Sequence, residues 1–264
     1  MATTLRQTLG LTVGTAPSHP SLLETRHRPW PVPRVPWIGR QSWHEVLFAH
    51  WPVPASTLRS FVPHGLAVEE KDGSSWVSVA CFRLNDLSLR GLPELPLVGR
   101  FLELNVRLYV EKEGKPGVWF LSLDASSSPA VAVARTLLNL PYVRAHMSMT
   151  SVEGSYRFGS LRRQGARAGF HAQYRPVGEM WEPSPGSLAH FLTERYCLYT
   201  RFPGGRLARL QIHHLPWPLQ DATATVDADE LFAAHGLPIA GPPALVHFSD
   251  CQDVILWPPE LSGR

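Results

Sequence analysis

Residues 101–124 carry side chains able to move a proton on a small molecule. Apolar and polar residues alternate along the first part of this stretch. Leu102, Leu104, Val106, Leu108 and Val110 share one face of a strand, and Glu103, Asn105, Arg107 and Tyr109 share the other. A turn over residues 111–117, with flexible points at Gly114 and Gly117, returns the chain as a second strand over 118–124. A hairpin that matches polar with polar sets Ser122 and Asp124 on the face of Asn105 and Glu103. Two carboxylates, an amide, a guanidinium, a hydroxyl and a phenol then share one surface. Turned into an interior, Glu103 would hold its proton more tightly than usual and serve as general acid or base, with Arg107 or Arg135 holding a carboxylate or enolate. Asp124, if directly opposite, would share a proton with Glu103. Turned outward, the same residues are the wetted side of an antiparallel sheet. Turned inward but unused, Glu103 and Arg107 form an ion pair that orders the interior. The pattern alone leaves these readings open.

The elements that must position these groups follow from local signals. Ser128 as N-cap and Pro129 as first helical residue open a helix that Pro141 ends by restricting Leu140. Arg135 is the polar exception on that apolar helix, reaching solvent or an anion. Upstream, 42–51 reads as extended, 54–61 as a short helix stopped near Pro63, 71–73 as a hairpin turn and 76–82 as a strand. Residues 86–100 read as a loop covering one end of the sheet. Downstream, strands are expected at 155–163 and 168–175, a helix at 187–199, and an extended pair over 205–226. A short helix follows, opened by an acidic capping box over 227–230 and closed by Gly236, and a last strand runs over 245–257. Arg195 and Tyr196 either reach the mouth of a cavity or pack their helix.

Composition narrows the function classes. The 264 residues can bury a sizeable core, and a net charge of +3 is too weak to imply nucleic acid. Cys81, Cys197 and Cys251 form no pairing framework, which fits a reducing, cytoplasmic setting. There is no signal-peptide run and no apolar stretch long enough to span a membrane. Residues 1–36, rich in Thr, Pro and Arg, read as a flexible lead-in, and 37–264 as a single domain without repeats. The histidines lack ligand spacing with a third partner, so no metal is expected. The Trp-Pro corners at 50–52 and 216–218 read as rigid packing. A nucleophile elbow and a phosphate-cradling glycine loop are both absent, so no cofactor is expected. An exposed strand edge would support a homodimer, though no residue requires one. Strands spread along the whole chain with few helices, giving a β-rich α+β fold.

Several blocks, in order, carry a resemblance: HWPVPASTLRSFVPHGL (50–66), FLELNVRLYV (101–110), GKPGVWFLSLDASS (114–127), AR (134–135) with LPY (140–142), GSLAHFLTERYCLY (186–199) and HHLPWPLQ (213–220). The sequence resembles the YqjF-like family, within the acetoacetate-decarboxylase-like superfamily. That resemblance implies a curved sheet closing into a cone-like β-barrel with a few flanking helices, and it favours an inward Glu103, Asn105 and Arg107. Acetoacetate decarboxylase itself forms a Schiff base on a lysine activated by a neighbouring lysine. The matching corner here, residues 139–141, leads into Tyr142 and Val143 instead. The lysines present, Lys71, Lys112 and Lys115, sit in hairpin turns. The resemblance therefore implies a lyase-like enzyme without covalent lysine chemistry, in which Tyr142 donates to a developing oxyanion. A non-catalytic small-molecule-binding barrel is the alternative.

Overall fold

The computed structural model describes residues 18–94, 99–162 and 165–261. Strands dominate. In chain order they are β1 (Gly39–Val53), β2 (Ala67–Val68), β3 (Ser75–Leu89), β4 (Phe101–Lys112), β5 (Lys115–Ala125), β6 (Tyr142–Arg144), β7 (His146–Val152) and β8 (Ser155–Arg162). They continue with β9 (Ala168–Trp181), β10 (Cys197–Arg201), β11 (Leu207–His213), β12 (Leu219–Asp227), β13 (Leu245–Leu256) and β14 (Glu260–Leu261). The helices are short: α1 (Ala55–Leu58), α2 (Ser128–Leu138), α3 (Leu188–Thr193) and α4 (Asp229–His235). Among the described residues no helix is long and apolar enough to cross a membrane.

All the strands join one sheet, with β11, β10, β5, β4, β3, β1 and β13 adjacent in that order. Strand β13 also pairs with β11, Leu256 opposite Ile212 and Ile255 opposite His213, so this run of seven pairings returns on itself. Strands β12, β9, β8 and β7 extend from β13. Tight X-Gly turns set the hairpin registers. Glu113 and Gly114 between β4 and β5, and Glu153 and Gly154 between β7 and β8, all adopt positive φ, as a primed two-residue turn requires. Gly117 answers a different need. A Cβ there would lie 2.7 Å from Cys197 Sγ and 2.8 Å from its carbonyl, where β10 runs parallel to β5.

Strands β1, β3 and β4 are buried on both faces. One face, with Leu47, Ala49, Val79, Cys81, Leu104 and Val106, packs on Phe158, Phe170 and Tyr174 of β8 and β9 and on Leu231 and Phe232 of α4. Burial of each Val, Leu or Phe side chain among them stabilises the fold by about 1.5–3 kcal/mol. The other face carries Phe48, Ala80, Phe82 and Phe101, joined by Ala130 and Val131 of α2 and by Trp217.

Several boundaries differ from expectation. The N-cap of α2 is Ser127, which accepts from the Ala130 amide, and Asn139 in the left-handed region ends the helix ahead of Pro141. The helix expected over 187–199 stops at Thr193, because 197–201 is recruited as β10 between β5 and β11; sheet pairing overrides the apolar stripe. The loop expected over 86–100 is in part strand, since β3 runs to Leu89, and residues 95–98 lie outside the described residues. Strands β2, β6, β7 and β14 have no counterpart among the elements expected from the sequence.

The lead-in expected to be flexible is held down where it is described. The Arg28 guanidinium donates to the Ile212 carbonyl (2.6 Å), the Trp30 indole N–H to Gln211 (2.8 Å) and the Trp257 indole N–H to the Val35 carbonyl (2.9 Å). Residues 1–17 lie outside the described residues.

Candidate functional site

Strand β4 places Glu103, Asn105 and Arg107 two residues apart on the face turned away from Leu104 and Val106, and all three are buried. They do not face water. They line a partly open cavity of about 280 Å³, whose lining also includes the exposed Leu89, Val133 and Leu137 and whose remaining wall is mainly apolar: Trp43, Phe48, Phe82, Leu84, Phe101 and Trp217 among others. Tyr142, the first residue of β6, reaches the same wall because β6 lies parallel to β5, with Tyr142 opposite Leu123. Its hydroxyl donates to Glu103 Oε2 at 2.9 Å.

Burial dominates the electrostatics. Glu103 is pushed from the usual 4.5 up to about 7 by desolvation; hydrogen bonds from Tyr142 and Asn105 pull the other way without winning. Desolvation, aided by the adjacent carboxylate, pushes the Tyr142 phenol well above its usual 10. No ion pair joins Glu103 to Arg107 among the described residues, so the ion-pair reading does not hold. Instead Arg107 donates to the Leu192 carbonyl (3.1 Å) and lies over the Phe48 ring, its carbon 5.0 Å from the centroid. Among the described residues, three kinds of buried polar atom on this wall have no hydrogen-bond partner: Asn105 Oδ1, Arg107 Nε, and the indole nitrogens of Trp43 and Trp217. Groups left so are normally satisfied by something.

Other expected residues lie elsewhere. The two-residue turn at 113–114 would place Asp124 opposite Glu103, but a bulge intervenes. Arg107 faces Phe120 while Val106 faces Ser122, which makes Leu121 an extra residue in β5. Beyond it Asp124 stands opposite Leu104, on the other face of the sheet. There Arg162 grips Asp124 through Nη2 (2.5 Å) and Nε (3.1 Å), and Ser122 meets Arg162 Nη2 (3.1 Å) and His235 Nε2 (3.0 Å). Ser122 and Asp124 are therefore not cavity residues, and no Glu103–Asp124 proton is shared. Arg135 is exposed and lines a separate cleft of about 530 Å³ with Ser122, Arg162, Arg201 and His235.

Arg195 does line the cavity, yet its guanidinium is committed: to Glu69 at 2.5 Å, to the Phe191 carbonyl at 2.7 Å, and over the Phe191 and Tyr109 rings. Tyr196 points away from the cavity, donating to Glu194 and lying under Arg28, 4.8 Å from its ring. Strand alternation in and around β10 sends neighbours to opposite sides.

Sequence reasoning missed the aromatic wall. Trp43 stacks on Trp217 (5.8 Å, 19°) and tilts against Phe82 (5.4 Å), and Phe48 meets Trp217 edge-on at 4.8 Å. Trp217, read as a packing corner, packs and also lines the cavity. It also missed a buried relay: His50 to Ser78 (2.5 Å), Ser78 to Tyr109 (2.6 Å), and Tyr109 to the Leu192 carbonyl (2.8 Å). His50 is held well below the usual 6.5 by burial and by nearby His247 and Arg107, so it is neutral. Only cross-strand register, invisible without pairing, aligns these three.

The architecture is that of the acetoacetate-decarboxylase-like proteins. An acetoacetate decarboxylase from Legionella pneumophila superposes with a TM-score of 0.60 at 14% identity, covering 89% of this chain and 93% of that one. The enduracididine biosynthesis enzyme MppR complexed with pyruvate superposes with a TM-score of 0.59 at 15% identity, covering 86% and 91%. Within that fold the chain belongs to the DUF2071 family, described as an uncharacterized conserved protein, which matches residues 40–253. It is 42% identical over 227 residues to the uncharacterized protein YqjF of Bacillus subtilis (strain 168), covering 86% of this chain and 93% of that protein.

Proposed function

We propose that the chain is a lyase-like enzyme whose seven mutually paired strands close as a cone-like barrel around a small-molecule site. Glu103 exchanges a proton with the carbon next to a carbonyl, and no Schiff base forms. Residues 37–264 act as one domain around the site. In the forward sense the carboxylate takes the proton and the electron pair passes to the carbonyl oxygen as an enolate; in reverse the acid returns it. Tyr142 orients Glu103, and Asn105 and Arg107 hold polar groups of the substrate. One observation carries this reading: a buried carboxyl poised at about 7 on a cavity wall, held by a phenol, where no described lining residue is a lysine. The lysines sit at turns instead, Lys71 beside Asp72 and Lys112 beside Glu113. Proton transfer at the carbon next to a carbonyl fits a fold shared with a decarboxylase and with a protein that holds pyruvate.

The test is hydrogen–deuterium exchange at the carbon next to the carbonyl, followed by proton NMR across a panel of 2-oxo and 3-oxo acids. The wild type should exchange at least one of them, and Glu103→Gln should lose exchange while still binding that compound. Binding without exchange in the wild type would make this a carrier barrel, which the apolar wall would also serve. A borohydride-trapped adduct on any lysine would overturn the absence of a Schiff base.

A further inference from the structure

We infer that the cavity takes a monocarboxylate with a bulky apolar or aromatic body, its carboxylate on Arg107 and its body among Trp43, Phe48, Phe82 and Trp217. The inference rests on reading the cavity as a ligand site and names the class of compound.

The charge count on the wall carries it. Six described lining side chains ionise: Glu103, Arg107, Tyr142, Arg195, Cys197 and His214. Arg195 already has Glu69. Burial takes His214 down to about 4 and the Cys197 thiol up to about 12, so both are neutral near pH 7. Tyr142 is neutral as well. Arg107 therefore remains the lone lining cation without a carboxylate partner among the described residues, 8% exposed, with its Nε bonded to nothing. A buried guanidinium lacking a counter-charge is costly, and one ligand carboxylate relieves that cost with charge-assisted hydrogen bonds. A second carboxylate would find no second cation. It would meet indole and phenyl rings or the Glu103 carboxyl, and would be rejected by the same desolvation that makes the first welcome.

The wall beyond Arg107 specifies the body. The aromatic rings of Trp43, Phe48, Phe82 and Trp217 contact one another through stacked and edge-on pairs, leaving a preformed apolar pocket. At about 280 Å³ the cavity far exceeds the roughly 10–15 Å³ that a single water requires, so a three-carbon acid would leave the aromatic end unfilled.

Calorimetric titration of the wild type and of Glu103→Gln with four probes tests this: phenylpyruvate, its uncharged ketone phenylacetone, pyruvate, and the dicarboxylate 2-oxoglutarate. Phenylpyruvate should bind at least 10-fold more tightly than each of the others. Arg107→Met should weaken phenylpyruvate by about 10- to 100-fold and leave phenylacetone unchanged. Because a core arginine variant can misfold, Trp43→Ala, at a half-buried position, gives a second reading: phenylpyruvate weakens about 10-fold and pyruvate does not. Pyruvate or 2-oxoglutarate binding as tightly as phenylpyruvate overturns the inference, as does an unchanged affinity in folded Arg107→Met. This binding pattern without any proton exchange would refute the enzymatic reading and leave the ligand class standing. Exchange on 2-oxoglutarate alone would do the reverse.

Discussion

Replacing Glu103 by glutamine should stabilise the protein, and only above a particular pH. The folded state holds the Glu103 proton up to about 7, against 4.5 for a solvated glutamate, because burial outweighs the hydrogen bonds from Tyr142 and Asn105. The folded pKa is the raised one, so the folded state binds the proton more tightly. Its contribution to stability is complete below about pH 4.5 and is lost as the pH climbs through about 7. The gap between those values corresponds to about 3 kcal/mol. Glutamine keeps the shape, accepts from Tyr142 as the carboxyl does, and never ionises. The unfolding free energy of Glu103→Gln minus that of wild type should be near zero at pH 4.5, rise between pH 5 and 7, and level off at about 3 kcal/mol above pH 8. Urea denaturation at 25 °C over that range measures it. A difference that is flat with pH would mean the carboxyl is not buried as described. A variant less stable than wild type at pH 8 would mean that the ionised Glu103 has a cationic partner, and the charge count around Arg107 would fall with it.

Tyr142→Phe removes a hydrogen bond that favours the ionised Glu103, so the carboxyl should titrate above 7 by carbon-13 NMR; a fall would refute the assigned role. Asp124→Asn leaves Arg162 buried without its charge partner and should cost about 3–5 kcal/mol in urea, with cavity binding of phenylpyruvate unaltered since the pair lies on the opposite face. Arg28→Ala loses the bond to the Ile212 carbonyl and the stack on Tyr196, about 1–3 kcal/mol, and should lower the melting temperature by several degrees. Changing Lys71, Lys112 and Lys115 together to arginine should leave proton exchange by the wild-type assay intact.

Much of the fold was legible because the hairpin signals are local. Lys71-Asp72-Gly73 and the alternation in β4 mark turn and strand without help from the rest of the chain. The inward turn of Glu103, Asn105 and Arg107 was not legible from alternation, because the polar face of β4 is buried as well as the apolar one, and alternation does not distinguish a polar pocket wall from a wetted face; family resemblance suggested it. Tyr142 entered as a candidate oxyanion donor at the corner that the resemblance marks; its hydroxyl donates to Glu103, a contact the sequence did not announce. Ser122, Asp124 and Tyr196 went astray for one reason. Each depends on strand register or on where a helix yields to a strand, and both are decided by partners distant in sequence. Arg135 failed differently, since a helix of this apolar character gives no sign of which cavity its one cation borders.

The extra residue at Leu121 makes the chemistry of this protein a matter of parity. With an even hairpin, the count from the turn would bring two carboxyl groups side by side, and they would titrate as a dyad sharing one proton. One added residue sorts them into separate compartments: a solitary acid with a pKa set by desolvation, and an ion pair that braces the far side of the sheet. Deleting Leu121 would therefore do more than shorten a strand. It would rewire which acid speaks to which, and turn a site with one solitary acid into one where two carboxyl groups compete for a single proton.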